Sequence, residues 1–275
     1  MKQTLLTKLL NRPYLVWAVL FILAPLAMVC YYAVTDKSGA FSTESLSEIG
    51  SYIPTLGLSV AYGAAATVIC LVIAYPFAYF LSKTKWNVQR TMVTLVMLPM
   101  WMNFLIRTYS WMTILGRSGL LNKFFILFGA EPVKMLGTPG AVILGMVYNF
   151  LPYMILPVYS VLSKLDGSLI EAAKDLGCNR ANVFRRIIFP LSVPGILSGI
   201  TMVFVPCVST FYITQKLGNG QIMLIGDIIE MQFQQANNYN LGAALSLVLM
   251  VLILICIGIM NRFGSKDENG GALYI

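Results

Sequence analysis

Two carboxylates in the last quarter of the chain have a spacing that could bind a cation. Asp227 and Glu230 lie three residues apart in the segment GDIIEMQF, so a helix would present both on one face. Aromatic rings can hold an organic cation over their faces while carboxylates neutralise its charge. Tyrosines that could supply such faces are Tyr148, Tyr153 and Tyr212. The alternative for the two carboxylates is a position in a solvated outer loop that contacts a partner protein. The alternative for the tyrosines is core packing or anchoring at the membrane interface.

A second candidate group surrounds Arg107 in the run LPMWMNFLIRTYSW, residues 98–111. Tyr109 and Trp111 follow this arginine closely. One interpretation places Arg107 near a solute pathway or its outer gate. The other is an aromatic belt at a membrane boundary with a snorkelling arginine, which composition alone favours.

Several kinds of chemistry are missing from the sequence. Histidine is absent, which removes the commonest metal ligand and general base. No phosphate-binding run of the form GxxxxGK[ST] occurs, so we expect the chain neither to hydrolyse ATP nor to be an enzyme. The five cysteines are dispersed and form neither a disulfide framework nor a metal site. We therefore expect no metal and no cofactor in this chain.

A polar segment, residues 168–190, interrupts the apolar sequence and has strong helix signals. Ser168 and Glu171 form a capping box, which predicts a helix start at Ser168. Gly177 offers the left-handed conformation that ends a helix. Asn179 can cap a second short helix that carries Arg180, Arg185 and Arg186 and that Pro190 closes. A loop built in this way predicts docking to a soluble partner.

The elements that must position these groups are membrane-spanning helices. The chain is 58% hydrophobic and only 11% charged, against roughly a quarter charged in soluble domains. Its apolar stretches are continuous and lack the alternation of a membrane barrel. Six of them reach the length of about 20 residues that a helical span needs. We predict spans near 14–34, 58–82, 91–113, 139–162, 193–214 and 240–262.

The basic residues predict the orientation of these spans. With the N-terminus in the cytoplasm, the inside segments hold most of the 19 lysines and arginines, as the positive-inside rule requires. The net charge of +8 is then a sign of topology, and we expect no nucleic acid partner. The run LLNKFFILFGA is too short to span and predicts an interfacial or re-entrant helix ended by Gly129. The tail after Arg262 is predicted to be disordered.

The polar segment also carries a family resemblance. Glu171-Ala172-Ala173, then Gly177, Ile187 and Pro190, resemble the EAA signature of ABC-importer permeases, although Phe189 stands where that pattern prefers leucine. The resemblance covers residues 55–260 and implies an all-α, six-helix integral membrane protein with a type I (MetI-like) core. It implies a first helix and outer loop at 1–57, a five-helix core at 58–262 with a coupling loop at 163–192, and a cytoplasmic tail at 263–275.

In this family the EAA segment is the coupling helix, which sits in a cleft of a cytoplasmic ATPase. The coupling residues implied here are Glu171, Ala172, Ala173, Asp175, Gly177, Arg185 and Pro190. Small side chains at Ala172 and Ala173 would let the helix approach a partner closely, and Arg185 would pair with acidic residues of the ATPase or with anionic lipid. The implied partners are two ATPase subunits that bind ATP and Mg, a second permease that is a paralogue, an extracytoplasmic solute-binding protein and the lipid bilayer.

Three stretches resemble the polyamine branch of the family: WMNFLIRTYSW, EAAKDLG, and FYIT followed by LIGDIIEMQF. The implied activity is import of spermidine or putrescine through the cytoplasmic membrane by alternating access, with both termini inside. Other solutes such as ferric iron, sulfate or amino acids, and less favourably an ion-gradient-driven transporter, stay as alternatives. The candidate pathway residues are Arg107, Tyr109, Trp111, Tyr148, Tyr153, Tyr212, Asp227 and Glu230.

Overall fold

The computed structural model describes residues 16–36, 39–42 and 44–270. These residues are mostly helical, and the only extended pairing among them is a single bridge between Thr35 and Phe41. The helices are α1 (Val16–Ala33), α2 (Glu44–Glu48), α3 (Ile49–Ser82), α4 (Trp86–Trp101), α5 (Phe104–Leu115), α6 (Leu120–Leu127), α7 (Pro139–Leu162), α8 (Gly167–Asp175), α9 (Arg180–Ser209), α10 (Tyr212–Leu217), α11 (Ile225–Gln234) and α12 (Tyr239–Gly270).

Five helical segments in the described residues are long and apolar enough to cross a membrane: α1, α3, α7, α9 and the Tyr239–Met260 part of α12. A sixth is formed if α4 and the residues Phe104–Leu127 are one broken span. The prediction of an all-α integral membrane protein with six spans is therefore confirmed. Residues 14–15 of the predicted first span and 271–275 of the predicted tail lie outside the described residues.

The predicted third span, 91–113, is not one continuous helix. α4 ends at Trp101, and the chain turns by 88° before the Phe104–Leu127 segment begins. Pro99 lies in the last turn of α4, and Met102 is extended with ψ 146°. The Asn103 side chain then accepts a hydrogen bond from the Leu105 N–H at 2.8 Å and starts α5. Hydropathy missed this break because the residues on both sides of it are apolar.

The fifth span also differs from its predicted bounds of 193–214. α9 runs from Arg180 to Ser209, so Pro190 does not close a short helix as predicted. A π-helical turn at Phe184–Ile188 precedes the proline, and the Phe189 N–H bonds to the Phe184 carbonyl. This wider turn lets the helix accept a residue without an N–H group and continue.

The prediction of a disordered tail after Arg262 is wrong for the residues up to Gly270. α12 continues through residues 263–270, which were expected to be disordered. By contrast, the short helix predicted before Gly129 is confirmed as α6. Gly129 has φ +80°, and the Ala130 N–H bonds to the Phe125 carbonyl at 3.0 Å, which closes a Schellman motif.

The described residues form two compact units. The smaller contains the described residues up to Pro54 and Ile228–Leu252, and the larger contains Thr55–Asp227 and the described residues from Ile253 onward. In the smaller unit, Ala33, Ala243 and Ala244 form a buried cluster. There the Asn240 amide donates to the carbonyls of Tyr32 and Thr35 at 3.1 and 2.6 Å.

The core of the larger unit depends on small residues that let helices approach closely. Ala66, Cys70, Ala74 and Ala78 repeat every four residues on α3 and are fully buried. On α9, a Cβ added at Gly195 would lie 2.9 Å from the Pro157 carbonyl oxygen of α7. Because a backbone atom cannot move aside easily, Gly195 fixes how closely α7 and α9 pack.

We expect Gly195→Leu to destabilise the folded protein by about 1–3 kcal/mol, the usual cost of overpacking a core. The measurement is thermal unfolding of the purified protein in detergent. Gly57→Leu on α3 is the matched control, since a Cβ at Gly57 has nothing within 4 Å. Equal melting temperatures for the two variants would contradict the close α7–α9 contact.

Candidate coupling segment and solute pathway

The predicted coupling helix is α8, and its start differs from the predicted one. The helix begins at Gly167, and the Asp166 carboxylate accepts a hydrogen bond from the Ser168 N–H at 2.9 Å. Asp166 is thus the N-cap, and the capping box expected from Ser168 is not formed. A carboxylate is favoured at this position because it also faces the positive end of the helix dipole. The hydrogen bond from Ser168 lowers the pKa of Asp166 below its usual value.

The end of α8 is where the sequence predicted it. Gly177 has φ +79°, its N–H bonds to the Lys174 carbonyl at 2.9 Å, and the Cys178 N–H bonds to the Ala173 carbonyl at 3.0 Å. These two bonds define a Schellman motif, which favours glycine at the left-handed position. The structural prediction for Gly177 is confirmed, while its role in coupling stays a prediction.

α8 presents an apolar stripe to its surroundings. Leu169, Ala172 and Leu176 are spaced so that they share one face, and all three are exposed, with Leu169 at 50% and Leu176 at 85%. We call these three residues the exposed stripe. Ala173 is buried in the core instead, so its small side chain serves internal packing and does not face a partner as predicted. Sequence reasoning missed the two leucines, although their spacing was visible.

Glu171 and Asp175 are exposed on the same helix. Further along, the Asn179 side chain accepts from the Asn182 N–H at 2.8 Å and caps α9 as predicted. Arg185, Arg186 and Pro190 are also exposed. The predicted coupling residues other than Ala173 are therefore available to a partner.

The start of α9 packs against α3 through aromatic side chains. The Phe184 ring lies 5.9 Å from Tyr75 and 5.8 Å from Tyr79, both edge to face. The Tyr75 hydroxyl lies 3.0 Å from the Ser192 hydroxyl, within hydrogen-bonding distance. These contacts pack the start of α9 against the membrane-spanning helix α3.

We expect Gly177→Ala to loosen α8 by about 1–2 kcal/mol, because a Cβ is strained in the left-handed conformation. Gly177→Asn should be milder, since asparagine tolerates positive φ. Amide hydrogen exchange over residues 167–178 measures this directly. Equal protection in Gly177→Ala and the unmutated protein would contradict the observed motif.

Two of the predicted pathway tyrosines meet in the larger unit. The rings of Tyr109 on α5 and Tyr212 on α10 lie 6.2 Å apart, and Phe104 lies 6.0 Å from Tyr212. The Lys216 ammonium sits over both tyrosines, 5.1 Å from the Tyr109 ring centre and 5.6 Å from that of Tyr212. We call Tyr109, Tyr212 and Lys216 the tyrosine–lysine cluster. Lys216 was not among the predicted site residues, and its sequence neighbours gave no signal for this contact.

Arg107 is buried in the first turn of its helix. It lies on α5, is only 7% exposed, and its Nε and Nη1 atoms have no hydrogen-bond partner among the described residues. Its guanidinium carbon lies 6.0 Å from the Phe104 ring centre. Burial of Arg107 argues against a side chain that snorkels to the membrane surface. The Phe104 ring that its guanidinium contacts also contacts Tyr212 of the tyrosine–lysine cluster.

The remaining aromatic candidates form separate contacts. Trp111 and Tyr148 lie 5.2 Å apart and edge to face, which joins α5 to α7. Tyr153 is exposed and lies 6.3 Å from Phe150 on its own helix. The structure thus does not gather all predicted tyrosines into one site.

Asp227 and Glu230 both lie on α11, as their spacing predicted. Asp227 is only 3% exposed, and its carboxylate accepts from the Leu224 N–H at 2.8 Å and from the Thr214 hydroxyl at 3.0 Å. The solvated-loop alternative is therefore wrong for Asp227. Glu230 is partly exposed.

The described residues form a helical membrane protein with up to six spans and a capped helix before the fifth, the architecture that the resemblance to a permease implied. Residues 4–266 match the family described as "Binding-protein-dependent transport system inner membrane component". The chain belongs to this family and is a multi-pass inner-membrane permease, so the resemblance read from the EAA segment is confirmed.

Two of the relatives are permeases named for spermidine and putrescine. The chain is 37% identical to the spermidine/putrescine transport system permease protein PotB of Haemophilus influenzae, with 90% of each chain covered. It is 36% identical to PotB of Escherichia coli K12, over 86% of this chain and 90% of that protein. Among solved structures, a bacterial ABC transporter that imports the acidic polysaccharide alginate has a TM-score of 0.82 at 16% identity, covering 96% of both chains. That similarity supports the fold.

Proposed function

We propose that this chain is a permease subunit of an ATP-driven importer of the polyamines spermidine and putrescine. The observation that carries the proposal is the similarity to permeases named for these solutes, at 36–37% identity over at least 86% of the chain. The fold cannot carry it, since a transporter of an acidic polysaccharide has the same fold. The tyrosine–lysine cluster supports a cationic solute, because aromatic faces attract ammonium groups.

The proposed energy source lies in a partner. Two ATPase subunits bind ATP and Mg in the cytoplasm, and each permease of a pair contacts one of them through its coupling segment. The exposed stripe on α8 supports this docking, because two leucines at 50% and 85% exposure on one helix face are typical of a contact surface. The pair consists of this chain and a paralogue.

The proposed transport step is alternating access. Closure of the ATPases on ATP shifts α8, and the contacts of Phe184 with Tyr75 and Tyr79 pass the shift to α3. The pathway then opens to the outside, where a solute-binding protein delivers polyamine. Both termini lie in the cytoplasm in this arrangement, as the distribution of basic residues supports.

The experiment that tests this function is uptake of radiolabelled spermidine and putrescine into cells with and without this chain, at fixed membrane potential. ATP is depleted or supplied in each arm. We expect uptake that requires both the chain and ATP. Uptake that ignores ATP and follows an ion gradient would overturn the importer mechanism, and ATP-dependent uptake of iron, sulfate or an amino acid instead would overturn the polyamine assignment.

A further inference from the structure

The Lys216 ammonium occupies a position that resembles a bound ligand. It lies over two tyrosine rings, 5.1 Å from Tyr109 and 5.6 Å from Tyr212, and these rings meet edge to face at 73°. Lys216 is only partly exposed. Two aromatic rings around one ammonium group form a small site for an alkylammonium cation.

The side chain of lysine has the chemistry of the proposed solute. From Cβ to Nζ it is a four-carbon chain that ends in an ammonium group. Putrescine and the longer arm of spermidine carry the same aminobutyl unit. A surface that holds the end of Lys216 therefore has the size and the electrostatics to hold one end of a polyamine.

Only one cation can use the two rings at a time. Two ammonium groups within contact distance repel each other, and the buried guanidinium of Arg107 on the same helix as Tyr109 adds to the positive potential. A solute ammonium can thus enter only as Lys216 leaves. A solute with a second ammonium group carries a second point through which it can be bound, so it can compete with Lys216 better than a monoamine.

We propose that Tyr109 and Tyr212 form a cation–π binding site for an alkylammonium group, and that Lys216 is a tethered competitor which a polyamine must displace from it. The proposal rests on the proposed polyamine import and names a site and a specificity-determining residue for it. Lys216 holds the site against monovalent amines and yields to the polyvalent solute.

The first test compares spermidine uptake by cells that carry the unmutated chain or Lys216→Met, with n-butyltrimethylammonium as the competing monovalent cation. Lys216→Met vacates the rings and nearly keeps the side-chain volume. We expect the competitor to inhibit this variant at about tenfold lower concentration, the order of factor that cation–π contacts to two rings supply. Tyr109→Leu or Tyr212→Leu in the same background should remove the gain.

Lys123→Met is the matched control, since Lys123 is an exposed lysine on α6 outside the cluster. It should leave inhibition by the competitor unchanged. If Lys216→Met and the unmutated chain are inhibited equally, the tethered competitor is excluded. A gain that persists in both Tyr109→Leu and Tyr212→Leu, each made in the Lys216→Met background, would exclude the aromatic site.

A second measurement separates this proposal from polyamine import itself. In the purified complex, the acylation rate of Lys216 by an amine-reactive ester is measured by mass spectrometry with and without n-butyltrimethylammonium, which the ester cannot modify. We expect the cation to speed acylation of Lys216, because it displaces the side chain, and to leave Lys123 unaffected. If the unmutated chain imports no polyamine, the proposed function fails. In that case the acylation rate of Lys216 still tests the proposed ammonium site by itself. An acylation rate that the cation leaves unchanged would overturn the site.

Discussion

Glu171→Lys should abolish ATP-dependent uptake while the protein still inserts into the membrane. Glu171 is exposed on α8, so its replacement disturbs no packed contact. At a docked surface the reversed charge meets groups arranged for the opposite sign, and such like-charge contacts cost several kcal/mol. We expect uptake to fall at least about tenfold, as even 1.4 kcal/mol of lost coupling would require.

Co-purification of the ATPase provides the second readout of this prediction. Glu171→Lys, and separately Leu176→Glu, should reduce recovery of the ATPase with the tagged permease. Lys123→Glu, a charge reversal at an exposed residue of α6, is the control and should retain both uptake and the partner. Normal uptake by Glu171→Lys would contradict the assignment of α8 as the coupling helix.

Asp227→Ala should destabilise the protein by about 3 kcal/mol, since it leaves buried groups without their charged acceptor. The groups are the Leu224 N–H and the Thr214 hydroxyl, which connect the start of α11 to α10. Asp227→Asn should cost less because its amide oxygen still accepts one bond. Thermal unfolding in detergent measures both variants.

Uptake by the Asp227 variants tells a structural role from a solute-binding one. If Asp227 only holds α10 and α11 together, Asp227→Asn should keep the KM for spermidine near that of the unmutated protein. A melting temperature unchanged in Asp227→Ala, together with a large rise in KM, would contradict the structural role and restore this carboxylate as a solute ligand.

The end of α8 and the start of α9 could be predicted from sequence because the residues that determine them are close together in the chain. Gly177 ends α8 and Asn179 caps α9 through bonds that span a few residues, and the residue types required there are few. The start of α8 was misplaced by a similarly local ambiguity, since Asp166 and Ser168 are both good capping residues. Local patterns of this kind locate an element but do not choose between adjacent caps.

The pathway depends on contacts that sequence patterns do not encode. Lys216 meets Tyr109 only because α5 and α10 are brought together, and the two residues are far apart in the chain. The burial of Asp227 depends on Thr214, thirteen residues earlier. The same is true of Ala173, which is on the inner face of its helix only because α8 packs on the core. Tertiary packing decides each of these positions.

The central claim is that ATP hydrolysis by a partner drives polyamine transport through this chain. Its most direct measurement uses the purified complex in proteoliposomes, with the solute-binding protein and labelled spermidine on one side and the ATPases with ATP and Mg on the other. We predict accumulation of spermidine against its gradient that stops with a non-hydrolysable ATP analogue and is absent in Glu171→Lys. Equal spermidine entry with ATP, with the analogue and without nucleotide would contradict the account.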